Sequence, residues 1–227
     1  MNSFKENLTS QKGFTIIEIM VAMSLIVLIF AIVPITTSYN SHSQLQKALS
    51  DFERAVRFAN NEAILRNKIV RIKIILGAEE SEYTIEYGTN SDLILPESVD
   101  TSKLSIKERE EEQKKQQKLD SQFSVVDELY DENKKLPAGT FIYGVATSYY
   151  ENLLMSDEMH IYFYPTGERD NALILLHTDI EMASLSIPPF EQTTYKDYYT
   201  FTEEELLQFD DTLESTSQDI YTEWIKD

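Results

Sequence analysis

The chain contains no cysteine. Disulfides, thiol catalysis and cysteine-based zinc sites are thereby excluded, while the compartment stays open. Histidine is nearly as scarce: His42, His160 and His177 stand far apart, and no HExxH spacing occurs. The six glycines are isolated, so there is no glycine-rich phosphate loop, no G-x-S-x-G elbow and no collagen-like repeat. Asp210-Asp211 stand without the spaced D-x-D-x-D-G loop of a calcium site, and a solvated acidic face is expected there. Basic charge is short as well. Twenty Lys and Arg face 39 Asp and Glu, a net charge of −19, which repels nucleic acid and anionic headgroups and makes a nucleic-acid partner unexpected. No catalytic, cofactor-binding or metal-binding residue is nominated, and the chain is not expected to be an enzyme.

What the sequence does have is one long apolar run, Lys12 to Ile35. Residues 1–13 form a polar leader with Lys5 and Lys12 as cations, a flank that keeps an N-terminus cytoplasmic. Phe14 to Ile35 as a helix, at about 1.5 Å per residue, is long enough for a bilayer core of roughly 30 Å. No small-residue cleavage pattern follows the run, unlike an ordinary secretory signal. A plain anchor explains the length and the flank. It does not explain Glu18, a carboxylate just inside the apolar run, which costs several kcal/mol in hydrocarbon unless it finds a partner.

Past Pro34, which kinks a helix without having to end it, Leu45, Ala48, Leu49, Phe52, Ala55, Val56, Ala59, Ala63 and Ile64 fall on one helical face, with Lys47, Asp51, Arg54, Arg57 and Glu62 opposite. Phe14 to Arg66 therefore reads as one long, kinked helix. Val70/Ile72/Ile74 alternating with Arg71/Lys73 predicts a strand with one buried face, and Glu82–Tyr87 its hairpin partner. Asn90–Leu95 reads as a short strand. Lys107–Lys118 has no apolar residue and reads as a solvated insertion, with Phe123–Tyr130 a satellite element. Strands resume at Phe141–Tyr150, Glu158–Tyr164, Asn171–Thr178 and Met182–Ile187, with Pro165-Thr166-Gly167 as a turn. Asn171–Thr178 is almost continuously apolar, which predicts burial on both faces. Beyond it lies an acidic tail, 201–227, with scattered apolar residues, read as a loosely packed tail or a partly helical partner-docking segment.

Lys12-Gly13-Phe14-Thr15-Ile16-Ile17-Glu18, with the leader before it and the apolar run after it, resembles a type IV prepilin signal. The resemblance implies cleavage between Gly13 and Phe14 by a prepilin peptidase and methylation of the new Phe14 amine. It also implies a role for Glu18 in assembly, pairing with the Phe14 amine of a neighbouring subunit, and a helix-kinking role for Pro34. Phe52–Asn67, with an arginine, Glu62-Ala63-Ile64 and a following strand at Val70, is similar to the helix end of the minor pseudopilin H family. Tyr162-Phe163-Tyr164-Pro165-Thr166-Gly167, followed by Ala172–Leu176, resembles that family's F-x-P-x-G hairpin.

The resemblance implies an α+β fold: a long N-terminal helix, transmembrane then amphipathic, packed on a C-terminal antiparallel β-sheet or β-sandwich domain. The segments are a cleaved leader, 1–13; a membrane and filament-core helix, 14–35; an amphipathic half-helix, 36–68; a periplasmic β-rich domain, 69–200, with a charged insertion at 97–136; and the tail. The implied function is that of a minor pseudopilin near the tip of a type II secretion pseudopilus. Its expected partners are the prepilin peptidase, other minor pseudopilins, the major pseudopilin, the secretion assembly platform and the inner membrane, with no cofactor. A minor pilin of a type IV pilus fits the same N-terminus. A membrane-anchored periplasmic enzyme or sensor is a third reading, and a pocket with perturbed carboxylates would favour it.

Overall fold

The computed structural model describes residues 15–76, 81–89, 105–126, 134–150, 152–155 and 157–226; within them, the side chains at 29–40, 106, 109, 112, 113, 116 and 157 fall outside the description. The chain divides into two units, Met1–Asn40 and Ser41–Asp227. Helix α1 runs Ile16–Arg66. Its end is set locally: Asn67 adopts a left-handed φ of 53°, and the Lys68 N–H bonds back to the Ala63 carbonyl at 3.2 Å, closing the helix in a Schellman-type turn.

In the second unit, nine strands among the described residues form two antiparallel sheets. One contains β1 (Val70–Leu76), β2 (Glu82–Gly88), β3 (Phe123–Val125), β4 (Lys134–Lys135) and β6 (Asp157–Phe163), in the order β3-β2-β1-β6 with β4 also on β2. The other contains β5 (Phe141–Thr147), β7 (Ala172–His177), β8 (Glu181–Ile187) and β9 (Tyr195–Thr200), in the order β5-β7-β8-β9. The strand period of two sends alternate residues to one face. Ile72 and Ile74 of β1, Ile161 and Phe163 of β6, and Ile174 and Leu176 of β7 all join one core. Of the α1 stripe expected from sequence, Leu45 through Ala63 are buried, all but Ala48 in the same core, whereas Ile64 at its end is exposed. An α+β fold with a long N-terminal helix and antiparallel sheets is therefore present.

Strand β7 is buried on both faces, as its composition predicts. Its other residues, Leu173 and Leu175, enter a second core with Met182 and with Leu213, Ile220 and Tyr221 of helix α4 (Phe209–Trp224). The expectation of a loosely packed tail is thus corrected. After β9 comes a short helix, α3 (Glu203–Leu206), started by a Thr202–Glu205 capping box, and then α4 lies on the outer face of the second sheet. A helix on that face is what an all-apolar central strand requires.

The F-x-P-x-G segment needs a second correction. Strands β6 and β7 do not pair. β6 pairs with β1 and β7 with β5 and β8, so the Tyr164–Gly167 turn carries the chain from one sheet to the other. Only an isolated bridge, Phe163 to Arg169, resembles a hairpin. Gly167, at φ 91°, supplies the left-handed residue of the turn.

The insertion contains a helix, α2 (Ile106–Asp120), with a full Ser105–Glu108 capping box. The Asn90–Leu95 strand, Ile106 and the remainder of Phe123–Tyr130 beyond Val126 lie outside the described residues or side chains. Arg71, expected on a solvated face, is instead 1% exposed. Its Nε donates to Glu86 Oε2 at 2.6 Å and its Nη1 to Asp120 Oδ1 at 2.8 Å, and its guanidinium lies 3.9 Å from the Phe123 ring centroid. The end of α2 and β3 therefore cover this face. Asp51, also expected outside, is buried beside Arg54 and Lys134.

One deletion and one substitution separate decoration from structure. Excising 107–118, a stretch whose described side chains are all exposed, is expected to leave the thermal midpoint within a few degrees. Arg71→Ala leaves the half-buried Glu86 and Asp120 without their cation and is expected to cost about 3 kcal/mol, a fall on the order of 10 °C. Differential scanning calorimetry reads both, and an unchanged midpoint in Arg71→Ala would show that the network is dispensable.

Candidate processing and assembly site

Gly13 and Phe14 lie outside the described residues; Thr15 is the first described residue. Its hydroxyl accepts the Glu18 N–H at 3.2 Å, and the Glu18 carboxylate accepts the Thr15 N–H at 3.2 Å. The Thr15 hydroxyl also lies 3.4 Å from the same carboxylate oxygen. This is a capping box: two backbone donors at the start of a helix are satisfied reciprocally by Thr and Glu three apart. It holds the Glu18 carboxylate at the positive end of the helix dipole; Thr15 is one residue and Glu18 four residues past Phe14, which follows the bond expected to be cut. The sequence carries the signal, T-x-x-E before an apolar run, and reading Glu18 only as a misplaced charge overlooks it.

Around this cap the helix is apolar on all sides. Ile16, Ile17, Ile19, Met20, Val21, Met23, Leu25, Ile26, Val27 and Leu28 are all exposed. A surface helix of a soluble protein shows one apolar stripe; a helix apolar all round is made for apolar surroundings. Among the described residues, no helix is long and apolar enough to cross a membrane; the described side chains of the Phe14–Ile35 span stop at Leu28. Pro34 falls within α1, in the part whose side chains are outside the description.

Elsewhere, three titratable groups stand out, the half-buried His160 and His177 and the buried Asp170. His160 sits beside Arg71 and Asp120, and burial, then the Arg71 charge, holds it well below the ordinary imidazole value. His177 is likewise held down, chiefly by burial. Neither stands among three potential metal ligands, and no such group occurs among the described residues. Asp170 is 2% exposed. It accepts the Tyr162 N–H at 2.8 Å, with the Tyr164 hydroxyl at 3.4 Å. Burial pushes its carboxyl up to about 7, against the pull of these donors. It sits behind tyrosines and is not among the residues that line the cleft at Arg57, Asn60 and Thr194.

The Asp170 shift fixes a direction for stability. A carboxyl whose pKa rises on folding favours the folded state while protonated. That contribution is complete below the unfolded carboxyl value, near 4, and is lost as pH rises through about 7. Asp170→Asn is therefore expected to flatten the stability profile between about pH 4 and 7 relative to the parent chain. Urea titrations across that range read it, and parallel profiles for the two proteins would sink the assignment.

Residues 8–34 match the family model described as the prokaryotic N-terminal methylation motif. The matched stretch includes Gly13, Phe14, Glu18 and Pro34. The motif is of the prepilin type. It fits a pilin-like or pseudopilin chain, and it implies processing by a prepilin peptidase and assembly with other pilins. No curated protein and no solved structure matches the chain.

Proposed function

We propose that the chain is a minor pseudopilin, a structural subunit at or near the tip of a type II secretion pseudopilus that helps export folded proteins. The observation that supports it most is the conjunction at one helix start: a methylation motif, a capped Glu18 and an exposed helix that is apolar on every side. A filament of such helices gives each apolar surface a neighbour. Cleavage before Phe14 creates an amine, and a carboxylate and an amine that are both costly in an apolar medium are less costly together. Glu18 of one subunit then pairs with the Phe14 amine of the next, and entry into the filament sets the register.

In this reading the leader cations keep the N-terminus cytoplasmic, 14–35 crosses the inner membrane once, and the folded domain is periplasmic until assembly. The role is structural rather than catalytic. Charge favours a secretion filament over a DNA-uptake pilus, because a net charge of −19 opposes nucleic-acid binding.

Intact mass of the chain purified from membranes tests the core of this reading. The expected species lacks residues 1–13 and carries one methyl group on Phe14. A chain that retains Met1 would rule out processing. Deleting the gene tests the finer part: export of folded proteins should fail, and loss of pilus-dependent DNA uptake with export intact would transfer the subunit to a type IV pilus.

A further inference from the structure

In the second unit, a polar cleft of about 310 Å³ lies between Arg57, Asn60 and Asn61 of α1 and the loop Gln192–Thr194 leading into β9. Its place follows from the way α1 borders β9. The His42 ring lies 5.5 Å from that of Tyr198, and Lys196 Nζ bonds Glu53 Oε2 at 2.8 Å. A little further along the helix the loop stands off, and the cleft opens.

Arg169 forms part of the wall and is 4% exposed. Its guanidinium clamps the loop by donating to the carbonyls of Pro188 at 2.8 Å, Thr193 at 3.1 Å and Glu191. Those partners are neutral carbonyls; the Glu191 carboxylate acts on Arg169 only through its charge, which offsets part of the effect of burial, and it is itself bonded by the Tyr195 hydroxyl. None of the salt bridges among the described residues involves Arg169, although a buried guanidinium is stabilised above all by an anion. Glu53, the acid of the cleft, is taken up by Lys196, which with Arg57 holds its carboxyl below the ordinary range. Arg57 is largely exposed, 4.0 Å from Glu53.

Two more side chains of the wall are unsatisfied. Asn60 is 8% exposed and Thr194 7%, and neither Asn60 Oδ1 nor Thr194 Oγ1 has a hydrogen-bond partner. A buried polar atom left unpaired costs about 1–3 kcal/mol. An acceptor beside two guanidinium groups suits a ligand that brings a donor along with its negative charge.

We propose that this cleft binds a carboxylate together with the amide N–H beside it, as an acidic peptide segment of another protein presents them. Arg57 and Arg169 take the carboxylate, and Asn60 Oδ1 and Thr194 Oγ1 accept the N–H. Inorganic phosphate carries an O–H of its own and can accept from the Thr194 hydroxyl, so it stands as a competing probe in the test below. A sugar acid offers hydroxyls, but no aromatic side chain lines the cleft to stack against a sugar ring. A second copy of the chain, at −19, is repelled as a body. A short segment feels mainly the charges within the screening length of about 8 Å, and here these include two arginines. The site does not rest on the filament reading.

Titration calorimetry on the full chain in neutral detergent micelles, at about 0.15 M salt, tests this. The probes are acetyl-alanyl-glutamyl-alanyl-amide, acetyl-trialanine with a free carboxylate, and the neutral acetyl-alanyl-glutaminyl-alanyl-amide. At least one charged peptide should bind about tenfold or more tightly than the neutral one, and which one does so tells a side-chain carboxylate from a chain end. Arg57→Gln, at an exposed position, should lower that affinity about tenfold. Thr194→Val, which keeps the side-chain size, should lower it several-fold. The proposal is overturned by equal binding of the neutral peptide, by no binding of any peptide, by unchanged affinity in both variants, or by tighter binding of glucuronate or phosphate.

Discussion

With alanine in place of Glu18, the chain is expected to be cut between Gly13 and Phe14, yet to fall in sheared filaments by roughly two to four orders of magnitude. The size follows from stranding one charge of a desolvated pair, about 3–5 kcal/mol, at 1.4 kcal/mol per tenfold. The capping box complicates a simple reading, because alanine also removes the bond from the Thr15 N–H to Glu18. A lost cap accounts for only about 1 kcal/mol, less than tenfold. Glu18→Gln separates the two roles. Glutamine serves at the third position of a capping box but carries no charge. Quantitative immunoblots of sheared and membrane fractions should show Glu18→Gln as depleted as Glu18→Ala. A glutamine variant that assembles normally would leave Glu18 as a cap and remove the pairing mechanism.

A chain ending at Phe201 is expected to lose cooperative unfolding altogether. Leu213, Ile220 and Tyr221 of α4 are buried against the outer face of the second sheet. At about 1.5–3 kcal/mol for each such side chain, removing them forfeits roughly 5–9 kcal/mol, comparable with the whole stability of a domain. The truncation also bares Leu173, Leu175 and Met182, an apolar patch that invites aggregation. Urea melts followed by tyrosine fluorescence, with light scattering, would show it. A truncated chain that melts in one sharp step near the parent midpoint would return α4 to the status of an appendage.

Strong periodicity made much of this architecture readable. The α1 stripe keeps its three- and four-residue steps, and β1, β2 and β5 to β8 lie where alternation or continuous apolarity placed them, within a residue or two at most boundaries. Strand β9 was missed because Tyr195–Thr200 is an exposed edge whose ladder needs no apolar alternation. The tail reads as either loose or partly helical, and the structure bears out the helical alternative; its packing was not legible because Ser217 stands in the middle of the buried stripe Leu213, Ser217, Ile220, Tyr221, so a count of apolar residues breaks there. Arg71 was misplaced for another reason. Strand alternation says which residues share a face, but not whether a distant segment, here Asp120 and Phe123, will cover it. At the N-terminus the motif residues were readable; the reciprocal bonds of Thr15 and Glu18 were written there too, and only the capping pattern reveals them.

The strand pairing also has a consequence in time. β1 finds a neighbour in β6, Val70 opposite Phe163, and β7 is covered on its second face only once Leu213 to Tyr221 exist. A polypeptide made at roughly 5–20 residues per second thus presents its apolar α1 well before the partners that let the sheets close. Contacts so distant in sequence also slow folding itself. The newborn chain must spend seconds with its first helix made and its sheets still open, so its apolar strands stay bare until the last helix arrives.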